Sequence, residues 1–435
     1  MRYGCIGEKL SHSYSPEIHS HIGNYPYDLI ELSPEELADF CRKREYDAFN
    51  VTIPYKTEIM KYLDRISAEA EKIGAVNTVV KTGGRLVGYN TDFYGMTALM
   101  RRALGDGGLR GKKVLICGTG GTSATALAVC SSLGAGEVRR VSRSGKCGAL
   151  TYEEAYRSFS DADVIINCTP CGMFPHGGVS PVELGRFSRV SAVIDAIYHP
   201  LRSSLVLDAQ RRGIKAVGGL YMLAAQAVRA AELFGEIGKI GEADAGKDPA
   251  EVFSSAVFSA VLKEKRNLVL CGMPRSGKST AGALVSERSG RAFYDTDRMI
   301  EEKAGMSIPE IIAGSGEPFF RALEKDAVRF LAQVRGAVIA LGGGTVLDPE
   351  NVALLSADGL ICLLDRPIGD IVSSLGGEND PTRPLSGNAA ALRRLYEERK
   401  EIYLSCADTV IDASGTPEKT AAKLLAAEKE CEYLF

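Results

Sequence analysis

Two glycine-rich loops constrain the fold of this chain more than any other feature of its sequence. Each follows a short apolar run and precedes a helical one: residues 114–124 read VLICGTGGTSA, and residues 268–280 read LVLCGMPRSGKST. A strand, a glycine loop and a helix together form the unit in which backbone N–H groups at a helix N-terminus hold phosphate groups. The sequence therefore predicts two α/β domains, each with a phosphate-binding loop of its own.

Strands alternate with helical runs around both loops, which predicts parallel sheets built from right-handed βαβ units. The first series contains KKVLICG, EVRRVSR, DVIINCT, AVIDAI and KAVGG, and the second contains NLVLCG, AFYDTD, AVIALGG, LICLLD and TVID. A third set, MRYGCIG, YDLIEL and AFNVTI, predicts a separate α/β lobe within residues 1–100. We place the domain boundary between residues 264 and 265, after an apolar helix that is expected to pack on the N-terminal half.

Charge and targeting signals narrow the class of partner. A net charge of −3 gives no basic field for a phosphate backbone, which argues against nucleic acid. The N-terminal MRYGCIGEKL lacks the apolar core of a signal peptide, and no apolar run reaches the length of a membrane span. We therefore expect a cytoplasmic enzyme with small-molecule substrates and no membrane partner, and the sequence leaves its oligomeric state open.

Eleven cysteines are scattered singly, as reduced cytosolic thiols usually are, apart from Cys168 and Cys171 in the stretch CTPC. A CxxC pair can be a redox dithiol or half of a zinc site, but the sequence offers no second pair that would complete a metal shell. Packing is the third interpretation, and the role of this pair stays open.

The second loop fits the pattern GxxxxGK[ST] at every specified position, from Gly272 to Ser279. Gly272 and Gly277 let backbone N–H groups curl around phosphates, and Lys278 reaches the β- and γ-phosphates. The Ser279 hydroxyl is placed to bind Mg²⁺, and Thr280 follows it into the helix. The loop therefore predicts a site for ATP and Mg²⁺.

Four stretches add polar side chains to this half. They are YDTD with Asp295 and Asp297, GEPFFRALE with Arg321, LGGGT with Gly342, Gly343 and Gly344, and TRPL with Arg383. With these residues, the region from about residue 266 to the C-terminus resembles shikimate kinase, a small P-loop α/β kinase of the nucleoside-monophosphate-kinase type.

The resemblance implies a role for each side chain. Asp297 would bind the acceptor hydroxyl and take its proton, and Asp295 would support Mg²⁺. Arg321 and Arg399 would hold the substrate carboxylate, the three glycines would line the acceptor site, and Arg383 would lie in a closing lid; arginines suit phosphoryl transfer because it depends on positioning and charge stabilisation. The lid stretch VSSLGGENDPTRPL has serines where relatives often carry a further arginine, which puts the strength of nucleotide binding in question.

The first loop is a partial GxGxxG, because Ser123 replaces the third glycine. It closes a strand and opens a helix, the context that holds a dinucleotide pyrophosphate, although a plain turn is the alternative. The next strand ends in VSRSGK, where Arg143 and Lys146 suit the 2′-phosphate of NADP, whereas an acidic residue would favour NAD. The predicted cofactor-binding residues of this half are Gly118, Gly120, Gly121, Thr122, Arg143, Lys146 and Gly219.

The stretches SHSYSP, FNVTIPYK, GAVNT and GYNTDFYG precede this loop in that order. Together with INCTPCGM, IYHP and GGLYMLAAQA after it, they resemble shikimate dehydrogenase over essentially residues 1–263. The resemblance implies a two-lobed α/β dehydrogenase, with a Rossmann-type NADP lobe at about 101–234 and a substrate lobe at about 1–100 plus 235–264.

This resemblance also implies the dehydrogenase site. Lys56 and Asp92 would form the chemical pair, because reducing a ketone by hydride needs a cation that stabilises the developing alkoxide and donates a proton to it. The predicted substrate-binding residues are Ser13, Ser15, Asn50, Thr52, Asn77, Tyr198 and Gln226.

Together the two halves predict successive reactions on one metabolite: NADPH-dependent reduction of 3-dehydroshikimate to shikimate, then ATP-dependent phosphorylation to shikimate 3-phosphate. One alternative is a dehydrogenase with a nucleotide-sensing regulatory P-loop module, which the presence of Asp297 and Arg383 opposes. The other is a quinate-type dehydrogenase that uses NAD, fused to a small-molecule kinase, which Arg143 opposes.

Overall fold

Short strands, most of them buried, form three separate sheets in the part of the chain that the structure describes. The computed structural model describes residues 1–11, 13–237, 249–375 and 388–435. Its contacts separate a first unit, Met1–Leu262, which holds two of the sheets, from a second unit, Lys263–Phe435, which holds the third. The division falls two residues before the expected boundary, within one continuous helix.

The first sheet is mixed. It contains β1 (Tyr3–Gly7), β2 (Tyr27–Glu31), β3 (Ala48–Val51), β4 (Arg65–Ile66), β5 (Thr78–Thr82) and β6 (Arg85–Tyr89). The strand order is β2-β1-β3-β5-β6-β4, with β1 parallel to its two neighbours and β5 antiparallel to its own. Gly83 and Gly84, both with positive φ, make the tight turn between β5 and β6. The three predicted strands are present, and this hairpin was not predicted.

The second sheet is wholly parallel, as the alternation of strands and helices predicts. It contains β7 (Lys113–Cys117), β8 (Glu137–Val141), β9 (Val164–Asn167), β10 (Ala192–Asp195) and β11 (Lys215–Val217). The strand order is β11-β10-β9-β7-β8, so the order reverses at β7. In open parallel sheets, the crevice beyond the carboxyl ends of the strands at such a reversal is where ligands bind.

Nine helices surround these two sheets in the described residues of the first unit, the last of them running past the unit boundary. They are α1 (Ser15–Ile22), α2 (Leu37–Lys43), α3 (Ala68–Ile73), α4 (Asp92–Leu104), α5 (Gly121–Ser132), α6 (Tyr152–Ser158), α7 (Ser204–Arg211), α8 (Leu220–Phe234) and α9 (Pro249–Lys265). Helix α4 packs closely on α8 at Gly95, where an added Cβ would lie 2.5 Å from the Met222 carbonyl oxygen. The Phe258 ring of α9 packs against the Tyr221 ring at 5.4 Å, so this helix lies on α8 of the first unit.

The third sheet, in the second unit, is also wholly parallel. It contains β12 (Asn267–Cys271), β13 (Phe293–Asp295), β14 (Val338–Ala340), β15 (Gly359–Asp365) and β16 (Thr409–Asp412), in the order β13-β14-β12-β15-β16. Its helices are α10 (Lys278–Ser289), α11 (Thr296–Ala304), α12 (Ile308–Ser315), α13 (Glu317–Leu331), α14 (Pro349–Asp358), α15 (Ile368–Ser373), α16 (Ala389–Cys406) and α17 (Pro417–Glu430). The central strand β12 leads directly into the second glycine loop. Of the helices in the described ranges, none is both long enough and apolar enough to cross a bilayer.

Candidate active sites

Lys56 and Asp92 form an ion pair in the first unit. Lys56 Nζ lies 2.6 Å from Asp92 Oδ2, and the two side chains are 19% and 9% exposed. Lys56 lies in the loop after β3. The Lys56 carbonyl oxygen accepts the Val76 N–H at 2.8 Å, and this hydrogen bond fixes the position of the loop. Asp92 is the first residue of α4, where the helix dipole favours a negative charge. The structure therefore brings the two predicted partners together, 36 residues apart in sequence, and holds the ammonium against a carboxylate.

Next to this pair, Asn77 and Gln226 meet at Thr91, the residue before Asp92. Asn77 Oδ1 accepts the Thr91 N–H at 2.7 Å, and Asn77 Nδ2 donates to Thr91 Oγ1 at 3.0 Å. The Thr91 hydroxyl donates in turn to Gln226 Oε1 at 3.2 Å. All three side chains are buried, so a hydrogen-bonded network fixes both amides beside the ion pair.

Asn50 has its hydrogen bonds inside the protein. Its Oδ1 accepts the Tyr27 hydroxyl at 2.6 Å, and its Nδ2 lies 3.1 Å from Thr78 Oγ1 and 3.3 Å from the Asn77 carbonyl oxygen. These three bonds fix which way the amide points. Asn50 is therefore placed to support Asn77, and its side chain is directed into the network.

The predicted hydroxyl groups come from several loops of the first unit. Ser13 donates to Ser15 at 3.1 Å, and Ser15 is the first residue of α1. Thr52 follows β3, and its backbone N–H donates to the Ile6 carbonyl of β1 at 2.9 Å. Tyr198 comes from the loop after β10, and burial raises the pKa of its hydroxyl to about 12. The Tyr198 hydroxyl is therefore a neutral donor and acceptor, as the serine and threonine hydroxyls are.

The first glycine loop has the geometry of a dinucleotide turn. Gly118 has φ 109°, and a Cβ there would lie 3.2 Å from Thr169 Cγ2, so this position needs glycine. Gly120 caps α5 and Gly121 is its first residue, with open space where their side chains would be. The Ser123 hydroxyl donates to the Gly118 carbonyl at 2.7 Å, which closes the loop despite the missing third glycine. The turn fits the pyrophosphate of a dinucleotide at the start of α5, where Thr122 also lies.

Arg143 and Lys146 lie just past the carboxyl end of β8, and both are exposed. In this fold that strand end is where the adenosine ribose of a dinucleotide lies, so two cations there fit a 2′-phosphate. Gly219 lies after β11 and caps α8, where its backbone packs tightly against the Ala196 carbonyl.

Cys168 and Cys171 are free thiols in the loop after β9. Burial raises the pKa of both groups, so neither is a reactive thiolate. Within the described ranges, no three His, Cys, Asp or Glu side chains are placed to hold a metal ion. The Thr169 side chain between the two cysteines accepts the Cys171 N–H at 3.2 Å, so this stretch forms a hydrogen-bonded turn beneath the glycine loop.

The second glycine loop is closed on itself. Gly272 and Gly277 have φ of 136° and 93°, and Gly277 caps α10. Lys278 Nζ donates to the Gly272 and Met273 carbonyls at 2.9 and 2.8 Å. The lysine side chain therefore lies inside the loop, where such loops bind phosphates.

Ser279 and Asp295 present oxygen atoms side by side next to this loop. Ser279 Oγ donates to Asp295 Oδ2 at 2.5 Å, while Asp295 Oδ1 caps α11 by accepting the Asp297 N–H at 3.1 Å. One hydroxyl and one carboxylate suit Mg²⁺, which keeps several waters and is completed by phosphate oxygens. Thr280 follows Ser279 in the first turn of α10 and is exposed.

The three glycines after β14 are pressed against the predicted acceptor-site side chains. A Cβ on Gly342 would overlap the Asp297 carboxylate, and a Cβ on Gly344 would lie 2.5 Å from Arg321 Nη1. A Cβ on Gly343 would lie 3.0 Å from the Pro274 ring of the phosphate loop. The structure therefore brings the glycine run against the carboxylate, the arginine and the phosphate loop.

Arg399 of α16 joins the same cluster, because its Nη1 donates to the Gly343 carbonyl at 3.1 Å. The Tyr403 hydroxyl, one turn further along α16, donates to the same carbonyl at 2.5 Å. Arg383 and the lid stretch around it lie outside the described residues.

Sequence reasoning missed several side chains that hold these sites in place. Glu324 is buried, pairs with Arg321 Nη1 at 3.0 Å and accepts the Thr345 hydroxyl at 2.8 Å. It therefore links the acceptor arginine to the end of the glycine run. The spacing of Arg321 and Glu324 on one helix face was a readable signal, whereas nothing in the sequence links Tyr27 to Asn50.

Comparisons with known proteins agree with the two halves. The shikimate kinase family model matches residues 274–429, and the model of the shikimate dehydrogenase substrate binding domain matches residues 5–79. The shikimate dehydrogenase (NADP(+)) of Clostridium beijerinckii is 34% identical over 249 residues, which cover 54% of this chain and 92% of that protein. The protein of that name in Methanococcus maripaludis is 35% identical over 253 residues, covering 53% and 90%.

Solved structures match the same part of the chain. Shikimate dehydrogenase 1 from Peptoclostridium difficile is 34% identical and superposes with a TM-score of 0.52. The match covers 59% of this chain and 97% of that one. A chorismate mutase/shikimate 5-dehydrogenase fusion protein from Clostridium acetobutylicum is 33% identical and superposes with a TM-score of 0.53. That match covers 60% of this chain and 96% of the fusion protein's chain.

Proposed function

Since this chain belongs to the shikimate dehydrogenase family in its first unit and carries a shikimate kinase domain in its second, we infer that it is a bifunctional enzyme of the shikimate pathway. Its first unit reduces 3-dehydroshikimate to shikimate with NADPH, and its second phosphorylates shikimate with ATP and Mg²⁺. One observation carries this conclusion: a single chain holds both sites. The first unit has the Lys56–Asp92 ion pair, and the second has a phosphate loop that contacts the glycine run after β14.

In the first unit, NADPH supplies the hydride when it is bound. We propose that Lys56 Nζ donates a proton to the oxygen of the former ketone, while Asp92 orients the ammonium group. Asn77 and Gln226 are proposed to bind substrate hydroxyls, because the network through Thr91 orients both amides. Asn50 is proposed to act through Asn77, since its own polar atoms are bonded within the protein.

The hydroxyls of Ser13, Ser15, Thr52 and Tyr198 complete the proposed substrate site of the first unit. They supply neutral hydrogen-bonding groups for a carboxylate and ring hydroxyls. The proposed cofactor site consists of the turn at Gly118, Gly120, Gly121 and Thr122, the tight backbone at Gly219, and the cations Arg143 and Lys146.

In the second unit, ATP supplies the phosphoryl group and Mg²⁺ neutralises phosphate charge when they are bound. We propose that Asp297 accepts the proton of the attacking hydroxyl, because its carboxylate lies against Gly342 at the proposed acceptor site. Arg321, held by Glu324, and Arg399 are proposed to bind the substrate carboxylate. Arg383 is proposed to close over the nucleotide.

The division of labour along the chain is part of the proposal. Residues 1–264 are proposed to carry the dehydrogenase and residues 265–435 the kinase, with the boundary inside the last turn of α9. The chain is proposed to work in the cytoplasm, because its eleven cysteines are free thiols and its cosubstrates are NADPH and ATP.

A two-step assay tests this function. Wild-type protein given 3-dehydroshikimate, NADPH and MgATP should oxidise one NADPH and consume one ATP for each substrate molecule. Lys56→Met should slow the reduction of 3-dehydroshikimate by more than about 1000-fold and leave the phosphorylation of added shikimate unchanged. Asp297→Asn should slow the phosphorylation to the same degree and leave the reduction unchanged. Lys61→Met and Asp326→Asn, at exposed ion pairs, are the matched controls.

Separately expressed residues 1–264 and 265–435 should each keep one activity. The wild-type chain could be an active dehydrogenase that does not phosphorylate shikimate with ATP. That result would contradict the kinase assignment and favour a regulatory nucleotide site. Wild-type turnover with NAD as fast as with NADP would contradict the cofactor assignment.

A further inference from the structure

Arg275 in the second glycine loop has a backbone conformation that is unfavourable for its side chain. Its φ is 67°, in the left-handed region, where a side chain other than glycine costs about 1–2 kcal/mol. The loop pattern leaves this position free, so a glycine would satisfy the phosphate-binding backbone without that cost. Strain of this kind persists where the side chain contributes to function.

The Arg275 side chain is held at the edge of the phosphate loop. Its Nη1 lies 3.4 Å from the carbonyl oxygen of Ser374, at the end of α15. The carbonyl end of a helix attracts a cation, which favours this placement. The guanidinium therefore lies between the phosphate loop and the C-terminal end of α15.

A second arginine supports the strained backbone. Arg366, directly after β15, donates from Nη1 to the Arg275 carbonyl at 3.3 Å. Two guanidinium groups thus lie at the Arg275 side of the loop, while Lys278 bonds the Gly272 and Met273 carbonyls. The local field favours a polyanion, and a planar guanidinium binds phosphate oxygens through two parallel hydrogen bonds.

We propose that Arg275 is a nucleotide-binding residue that contacts the phosphate chain of ATP from the edge of the loop. The inference rests on the proposed kinase function and adds to it a residue that the loop pattern does not specify. The contact sets affinity for the nucleotide and not for the acceptor, because Arg321 and Arg399 lie on the glycine run after β14.

Arg275→Gly separates this role from a structural one. Glycine relieves the left-handed strain, so the variant should unfold at a higher urea concentration than the wild type. Its KM for MgATP should nevertheless rise about tenfold, the usual scale for loss of one charge-assisted contact, while the KM for shikimate stays within about twofold. Arg275→Lys, which keeps a charge but not the planar fork, should fall between the two.

Direct binding makes the test independent of turnover. Titration of the full chain with MgATP should show weaker binding for Arg275→Gly, whereas titration with adenosine should show no difference between the proteins. Arg329→Ala, which removes the same charge from an exposed ion pair on α13, should leave both unchanged.

An unchanged affinity for MgATP in Arg275→Gly would overturn the proposal, and so would equal weakening of MgATP and adenosine. A less stable variant with proportional losses for ATP and shikimate would also overturn it, because the arginine would then be structural. Failure of the kinase function itself would appear differently, as wild-type protein that binds MgATP but does not phosphorylate shikimate.

Discussion

In the first unit the lysine of the candidate site is paired with a carboxylate, whereas in the second the lysine of the phosphate loop is bound by carbonyl oxygens of its own loop. Lys56 and Asp92, the proposed proton donor and its carboxylate partner, are in direct contact at 2.6 Å. Lys278 donates to Gly272 and Met273 in the place where it would meet phosphate oxygens.

The same contrast extends to the surrounding groups. The amides of the first site are fixed by a buried network of side chains, while Ser279 and Asp295 of the second bind each other where a metal ion would separate them. We therefore expect ligand binding to add hydrogen bonds in the first unit and to exchange them in the second. Pre-formed sites lose less entropy on binding, whereas exchange makes affinity depend on the groups that are replaced.

The largest effect that would sharpen this contrast is expected from Ser279→Ala. Loss of the proposed Mg²⁺-binding hydroxyl should lower the phosphorylation rate about 100-fold, because charge stabilisation by the metal ion contributes several kcal/mol. Ser289→Ala, at the other end of α10, is the control, since its hydroxyl only bonds the Val285 carbonyl. The dehydrogenase rate should not change. A loss of less than about threefold in steady-state phosphorylation would remove Ser279 from the metal site.

Protonation of His19 should cost the first unit stability in acid. All five histidines lie before residue 200, and burial lowers the pKa of His19, which is 1% exposed, to about 3. Between that value and 6.5 the unfolded chain binds a proton that the folded chain does not, so stability is lost as pH falls through this window. From pH 7 to pH 5 the free energy of unfolding of the first unit should drop by about 2 kcal/mol from this group.

His19→Phe should abolish that part of the pH dependence, as urea unfolding at the two pH values can show. Phenylalanine preserves the stack on Tyr27, whose ring centroid lies 3.9 Å from that of His19. His176→Phe, in a solvent-exposed loop, is the matched control and should keep the wild-type slope. An unchanged slope in His19→Phe would show that the imidazole is protonated in the folded chain.

The smallest effect is expected from Tyr27→Phe, which removes the hydroxyl that orients Asn50. The KM for shikimate should rise about fivefold with little change in kcat, because one hydrogen bond contributes about 1 kcal/mol. Tyr25→Phe is the matched control, since the Tyr25 hydroxyl bonds His19 at 2.7 Å and not the network. Equal steady-state effects of the two variants would contradict a network that positions the substrate amides.

Much of the fold could be predicted from the sequence because its signals are local. The parallel strands of the second and third sheets are confirmed, since most of them are short apolar runs and helices follow them. The β5–β6 hairpin is absent from the predicted strand set, although Gly83 and Gly84 mark its turn between the two strands. The Lys56 and Asp92 pairing has no local signal, and only the family resemblance linked the two residues.

Other parts of the sites could not be predicted because they depend on tertiary contacts. The burial of Asn50 follows from where β2 places Tyr27, which no spacing rule gives. The left-handed backbone of Arg275 is equally hidden, because the loop pattern allows any residue there. The roles of the individual site residues stay predictions until the variants are measured.

The glycine run from Gly342 to Gly344 limits how the second unit can evolve. A methyl group on the first or last glycine would collide with Asp297 or Arg321, and one on the middle glycine would press on the phosphate loop. Single substitutions within the run therefore damage the chemistry before they can reshape the acceptor pocket. Variants with new acceptor specificity should arise instead at neighbouring residues such as Thr345 and Glu324. A change there can shift the backbone of the glycine run without placing a side chain in it.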